Sequence, residues 1–213
     1  MKKKILVACL CVALAVLTIA GTTLAYLTSQ DTVTNTFTVG NVSITLDEAK
    51  VDEMGKPVEN ADRVKANSYK LIPGHTYAKD PMVTVLKGSE KSYIKMTVTF
   101  SKAAELDAIF APNGADMTSI FNGYDSTNWI YKGNTKDTTA NTRTYEFWYK
   151  ETVAASTDNV ALDALFDSIT VPGTITNTQL ATIADMTITV NAYAIQADGF
   201  ATADAAWAAY PAA

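Results

Sequence analysis

Between Ser92 and Phe100 the residues Ile94, Met96, Val98 and Phe100 alternate with polar neighbours, and the stretch from Met186 to Ile195 does the same. A period of two places successive side chains on opposite faces of an extended strand, so each stretch offers one face to a core and one to water. Thr142 to Lys150 repeats the pattern with Tyr145, Phe147 and Tyr149 on one face. It is expected to pair with Asn128 to Tyr131 around a polar loop at Lys132 to Asn141. Shorter strands are expected at Pro81 to Leu86 and Ser168 to Val171. At Asp31 to Val39 the residues Val33, Phe37 and Val39 alternate with Thr32, Thr34, Thr36 and Thr38. After Gly40-Asn41 the apolar phase shifts to Val42, Ile44 and Leu46, which no single strand can accommodate on one face, so a turn or bulge separates two strand segments.

Helical spacing is confined to short pieces. Ala103, Leu106, Ile109 and Phe110 share one helical face, with Glu105 and Asp107 expected outside; Leu162, Leu165 and Phe166 suggest a helical turn, and Ala203 to Tyr210 is Ala-rich and helical. Pro73-Gly74 and Gly88-Ser89 read as turns. Many short strands with two or three short helices, rather than strands alternating with long helices, specify a mainly β, antiparallel, jelly-roll-like β-sandwich. No internal repeat is visible.

The N-terminus is of a different kind. Met1, Lys2, Lys3 and Lys4 form a basic start, residues 5–20 are almost unbroken apolar side chains, and Gly21-Thr22-Thr23-Leu24-Ala25 is small-residue terrain. That order is a helical secretory signal peptide. Its apolar run of 16 residues falls short of the roughly 20 a membrane-spanning helix needs. Thr23 and Ala25 supply the small side chains a signal peptidase requires, so cleavage is expected after Ala25 with Tyr26 as the new N-terminus. Leu6-Val7-Ala8-Cys9 spells a lipoprotein box superficially, but the apolar region that should precede it follows it. The expected organisation is a signal peptide at 1–25 and one β-sandwich domain at 26–213, with the membrane touched only through the uncleaved signal peptide.

Removing residues 1–25 takes three lysines and leaves 14 basic and 22 acidic residues, a net charge of about −8. Such a surface repels nucleic acid and anionic membranes. Both cysteines, Cys9 and Cys11, go with the signal peptide, which excludes disulfides, thiolate catalysis and cysteine-bound zinc from the mature chain. The 188 residues that remain suffice for one unstapled core.

Recognisable catalytic chemistry is missing from the sequence. His75 is the only histidine, so a two-histidine zinc motif cannot be built. Just after Pro73-Gly74 it reads as an exposed turn residue in preference to a catalytic base. Asp47, Glu48, Asp52, Glu53, Glu59 and Asp62 fill the charged stretch 47–68, which reads as a solvated acidic loop in preference to a calcium site, because the spacing of Asp52-Glu53-Met54-Gly55 matches no cation loop. Trp129, Tyr131, Tyr145, Phe147, Trp148 and Tyr149 offer either a carbohydrate-stacking face or, at strand spacing, core residues for half of them. No catalytic residue, cofactor site or metal site is assigned.

The N-terminal features together resemble a known family. A Lys-rich start, an apolar helix and Gly21-Thr22-Thr23-Leu24-Ala25-Tyr26 are followed by Asn35-Thr36-Phe37-Thr38-Val39-Gly40-Asn41-Val42-Ser43-Ile44. This resembles the TasA/camelysin family of Firmicutes, whose precursors are cut by a dedicated SipW-type signal peptidase. Leu71-Ile72-Pro73-Gly74-His75-Thr76-Tyr77-Ala78-Lys79-Asp80-Pro81 is similar to that family's Pro-Gly turn leading into a strand. The resemblance implies a secreted jelly-roll protein of the extracellular biofilm matrix or cell surface. Its partners would be further copies of itself and related matrix proteins. It also implies fibres in which the segment freed by cleavage, Tyr26 to Thr38, is donated to the next subunit with Leu27, Val33 and Phe37 filling apolar positions. The segment reads equally as the first strand of its own sandwich. The other functional readings are a monomeric cell-surface binding module and, from the camelysin branch, a metallopeptidase that this chain lacks the histidine pair to match.

Overall fold

The computed structural model describes residues 40–110 and 121–211. The signal peptide, the cleavage residues Thr23, Ala25 and Tyr26, the donor positions Leu27, Val33 and Phe37, and the strand expected at 31–39 all lie outside the described residues.

Strand β4, Ser89–Ser101, organises the molecule. Its alternating Ile94, Met96, Val98 and Phe100 are all but fully buried, while Lys95 and Thr99 take the opposite face. It pairs antiparallel on one side with β7, Thr142–Tyr149, and on the other with β11, Ile188–Gln196. The registers Met96↔Phe147, Val98↔Tyr145, Val98↔Val190 and Phe100↔Ile188 align the apolar positions of all three strands on one face. Strand β6, Trp129–Asp137, flanks β7, and β8, Val153–Ala155, pairs with the start of β4. A second sheet places β3, Met82–Val85, between β1, Ile44–Asp47, and β9, Val160–Ala161. A third places β10, Ser168–Thr170, between β2, Thr76–Ala78, and β5, Phe121–Asn122.

The core joins the sheets. Val83 and Val85 of β3, Phe121 of β5 and Leu162, Leu165 and Phe166 of the following segment meet the inner faces of β4, β6 and β7 in one buried cluster. Each such large apolar side chain contributes about 1.5–3 kcal/mol through removal from water. The architecture is therefore mainly β, antiparallel and sandwich-like, with three short helices among the described residues: α1, Ala103–Phe110; α2, Asn177–Thr182; and α3, Ala203–Ala209.

Four local expectations change. Leu162, Leu165 and Phe166 are buried but not helical; the backbone N–H groups of Leu162 and Leu165 donate to the carbonyls of Val83 and Pro81, so the cross-chain bond replaces the helical one. The loop expected at 132–141 shrinks to residues 138–141, because β6 continues to Asp137 through a bulge between Tyr131 and Gly133, where Gly133 has φ 120°. Helix α2 was not expected from periodicity, yet Thr176 and Gln179 form a reciprocal capping box that stops its N-terminal amides from being orphaned. Asp107 is not outside: it turns back onto the sheet, as described below.

The charged stretch 47–68 is likewise not a solvated loop throughout. Val51 is buried, and the segment folds on itself through the bridges Glu48↔Val64 and Val51↔Pro57. Arg63 holds it down, with Nε 2.5 Å from Asp47, Nη1 2.8 Å from Asp80 and Nη2 donating to the carbonyls of both. Acidic residues next to a strand thus became partners for cations that lie up to 31 positions away.

Candidate functional site: a groove between two strand edges

Strands β1 and β11 each pair with one neighbour among the described residues, β3 and β4 respectively. Among the described residues each is therefore the edge of its sheet, and an edge carries a row of backbone N–H and C=O groups available to another strand. Their inward side chains continue the core face: Ile44 and Leu46 stand beside Val85 and Val83, and Ile188, Val190 and Ala192 stand beside Phe100, Val98 and Met96. The inner partners are buried almost completely, whereas the edge residues are only half-buried. An apolar strip is left partly open on both edges.

Between them runs a groove of about 1380 Å³. Phe100, Leu106, Tyr145 and Ile183 line it with the two edge strands, and Asp47, Glu48, Lys79, Asp107 and Arg143 supply charge. An apolar trough flanked by ion-paired side chains suits a peptide chain in extended form, with main-chain hydrogen bonds at the edges and apolar side chains below.

Two sets of ionic contacts lie in the lining of the groove. Helix α1 follows Lys102, which has φ 56°, and its first amides are capped from the β6–β7 turn: Ala103 N donates to the Asn141 carbonyl and Ala104 N to Asn141 Oδ1. Lys102 Nζ reaches the Thr182 and Ala184 carbonyls at the end of α2, where a cation complements the exposed carbonyls. From α1, Asp107 Oδ2 accepts from Lys136 Nζ at 2.9 Å and from Arg143 Nη2 at 2.7 Å. Burial opposes ionisation of Asp107, but the hydrogen bonds from Lys136 and Arg143 outweigh it and hold the carboxyl below the usual carboxylate range.

That direction fixes a sign. A carboxyl with a depressed folded-state pKa stabilises the fold above its ordinary value and loses that contribution as pH falls through the folded-state value. Asp107→Asn is expected to lower stability at neutral pH by about 1–2 kcal/mol and to lessen the loss between pH ~4 and the acid limit. Urea midpoints measured across that range for both chains check it; parallel acid limbs would show that Asp107 anchors nothing.

Beside β1, buried Glu48 accepts from buried Lys79 and from Asn67 Nδ2, and the Tyr69 phenol is pushed well above its usual range by burial and by the Glu48 charge. The sequence assigns no role to the side chains of Arg63, Asn67, Lys79 and Asp80. No local signal pairs them.

The remaining sequence candidates fall elsewhere. His75 Nε2 lies 2.5 Å from the Met54 carbonyl and its ring meets Tyr77 edge-on at 4.7 Å, a structural arrangement in a turn. The six aromatic residues do not share a binding face. Trp129, Tyr145 and Phe147 are core, with Tyr131 and Tyr149 packed on them. Trp148 takes the opposite face of β7, where its ring is 6.1 Å from that of Trp207 and 4.0 Å from Lys132 Nζ.

Residues 1–71 match the model of the camelysin metallo-endopeptidase family. The N-terminal third is camelysin-like. This supports the resemblance to the TasA/camelysin family, and the match runs through β1 and the stitched stretch 47–68, one wall of the groove. No curated protein and no solved structure matches the chain. The camelysin name implies a metal. Among the described residues no group of three or more His, Cys, Asp or Glu side chains converges as a metal site. The single histidine is engaged with a backbone carbonyl, so this donor set does not fit a catalytic zinc.

Proposed function

We propose that the chain is exported, is cleaved after Ala25 by a SipW-type peptidase, and serves as a non-enzymatic structural subunit of an extracellular matrix. Fibres grow when the freed segment Tyr26 to Thr38 of one copy enters the groove between β1 and β11 of the next. The observation that carries this reading is the pair of half-open apolar edges, Ile44 and Leu46 on one side and Ile188, Val190 and Ala192 on the other.

The segment suits the groove chemically. Its 13 residues extend over about 43 Å, more than the nine residues of β11 require. Leu27, Val33 and Phe37 are all at odd positions and so fall on one face of an extended strand. Its edge hydrogen bonds would satisfy groups that otherwise face water, and the head-to-tail geometry does not close on itself, which yields filaments instead of rings. Before cleavage the same segment is tied to the signal helix, so processing licenses assembly.

The test compares the chain beginning at Tyr26 with one lacking Tyr26 to Thr38, by light scattering and negative-stain microscopy. Filaments from the first and soluble folded particles from the second are expected. A folded monomer from the first at high concentration overturns the fibre reading in favour of a monomeric surface module. Casein hydrolysis abolished by a chelator would overturn the non-enzymatic reading.

A further inference from the structure

Buried Lys79, buried Glu48 and Asn67 are gathered around one carboxylate, and we propose that Lys79 and Asn67 condense into an intramolecular amide cross-link with Glu48 as the proton shuttle. Lys79 Nζ donates to Glu48 Oε2, and Asn67 Nδ2 donates to Glu48 Oε1 at 3.0 Å. The amine and the carboxamide therefore sit on the two oxygens of the same group. Glu48 and Lys79 are each 7 % exposed, so water is largely kept from the amine and the carboxylate, while Asn67 is half-buried beside them.

The carboxamide is held as an acyl donor should be. Asn67 Oδ1 accepts the Val51 N–H at 3.0 Å, which polarises the carbonyl and is placed to hold negative charge on that oxygen. Asn67 Nδ2 spends its second hydrogen on the Ala49 carbonyl at 2.9 Å, which fixes the plane of the amide. The backbone on both sides is pinned as well: Glu48 N and O exchange bonds with Val64, and Lys79 N donates to the Asp167 carbonyl. Holding nucleophile and acceptor in one geometry replaces a bimolecular encounter with an intramolecular one, which is how an ordinarily inert amide can be attacked.

The step balances without a co-reactant. Glu48 withdraws a proton from the Lys79 ammonium, and the neutral Nζ attacks Cγ of Asn67 to form the new N–C bond. The charge passes to Oδ1 beside the Val51 N–H. Glu48 delivers its proton to Nδ2; the Cγ–Nδ2 bond breaks with its electron pair going to nitrogen, and ammonia leaves. Glu48 then takes the second proton of the attacking nitrogen and yields it to the ammonia, so ammonium is released and the carboxylate is regenerated. One amide replaces another, with no redox change. The product ties the segment before Tyr69 to the residue after β2 along one wall of the groove. It does not depend on the fibre reading.

Intact-mass spectrometry of the purified chain, followed by tryptic mapping, tests it. The expected mass is lower than that of the sequence by one ammonia, about 17 Da, with a branched peptide joining residues 66–70 to residues 71–87, uncut at Lys79. Lys79→Arg and Glu48→Gln are expected to restore the full mass. Should either variant fail to fold, the native chain decides alone. A native chain at full sequence mass, or an ammonia loss confined to Asn67 without a branch, overturns the cross-link.

Discussion

Replacing Phe121 by Ala is expected to lower the free energy of unfolding by about 3–5 kcal/mol. Phe121 is 2 % exposed, and its ring lies 4.5 Å from that of Phe166, 5.5 Å from Tyr145, 5.8 Å from Phe100 and 5.9 Å from Phe147. It is the point where the short sheet of β2, β5 and β10 meets the long one, so truncation removes contacts to both and leaves a void lined by rings from β4 (Phe100), β7 (Tyr145 and Phe147) and the segment before β10 (Phe166). Those backbones cannot collapse together to fill it. A domain typically holds only about 5–15 kcal/mol in total, so the variant is expected to unfold at markedly lower urea and temperature. Ile130→Ala, at a position 43 % exposed on β6, is expected to stay within about 0.5 kcal/mol of the parent. Equal losses in the two variants would mean that the sheets do not share this interior.

Val190→Asp is expected to abolish filament growth on the proposed strand donation while the chain still folds. Val190 points inward beside Val98 but lies on the outermost strand and is half-buried, so a carboxylate there can turn toward the water of the groove in place of being trapped in the core. For an incoming strand the same carboxylate is a desolvated charge under its apolar face, and burying it unpaired costs several kcal/mol. Asn191→Asp is the control: it adds the same charge one residue along, on the exposed outer face of the same strand. Circular dichroism establishes that both fold, and light scattering with microscopy follows assembly. Growth lost in Asn191→Asp but kept in Val190→Asp would place the assembly surface on the outside of the sheet.

The proposed cross-link lies beside this groove and not across it. It joins the wall that carries β1, leaving β11 bound to its own sheet. Strand insertion and covalent bracing are therefore separable: variants of Lys79 or Glu48 change mass, whereas variants of Val190 change assembly.

What was legible in the sequence follows from range. The alternations at Ser92 to Phe100, Thr142 to Lys150 and Met186 to Ile195 became β4, β7 and β11, because a period of two is a property of consecutive residues and states which face is apolar. The Ala-rich end became α3, with Thr202 Oγ1 accepting from Ala205 N at its start. Where periodicity misled, a long-range bond had displaced a local one: Leu162, Leu165 and Phe166 keep helical spacing, but Leu162 and Leu165 spend their amides on β3 and its approach. The capping residues Thr176 and Gln179 were a readable signal for α2, obscured by the lack of a long apolar stripe beside them.

By itself, then, the sequence determined the mainly β character, the buried faces of β4, β7 and β11, the absence of disulfides after residue 25 and the camelysin-like N-terminus, all matters of composition and near-neighbour spacing. Only the tertiary structure decided which strands are edges among the described residues, since Met96 and Val190 look alike in a pattern but differ there in having strand neighbours on two sides or one. It alone brought Glu48, Asn67 and Lys79 to one carboxylate and Asp107 to Lys136 and Arg143, because charges from different segments are paired by the packing of the backbone that carries them.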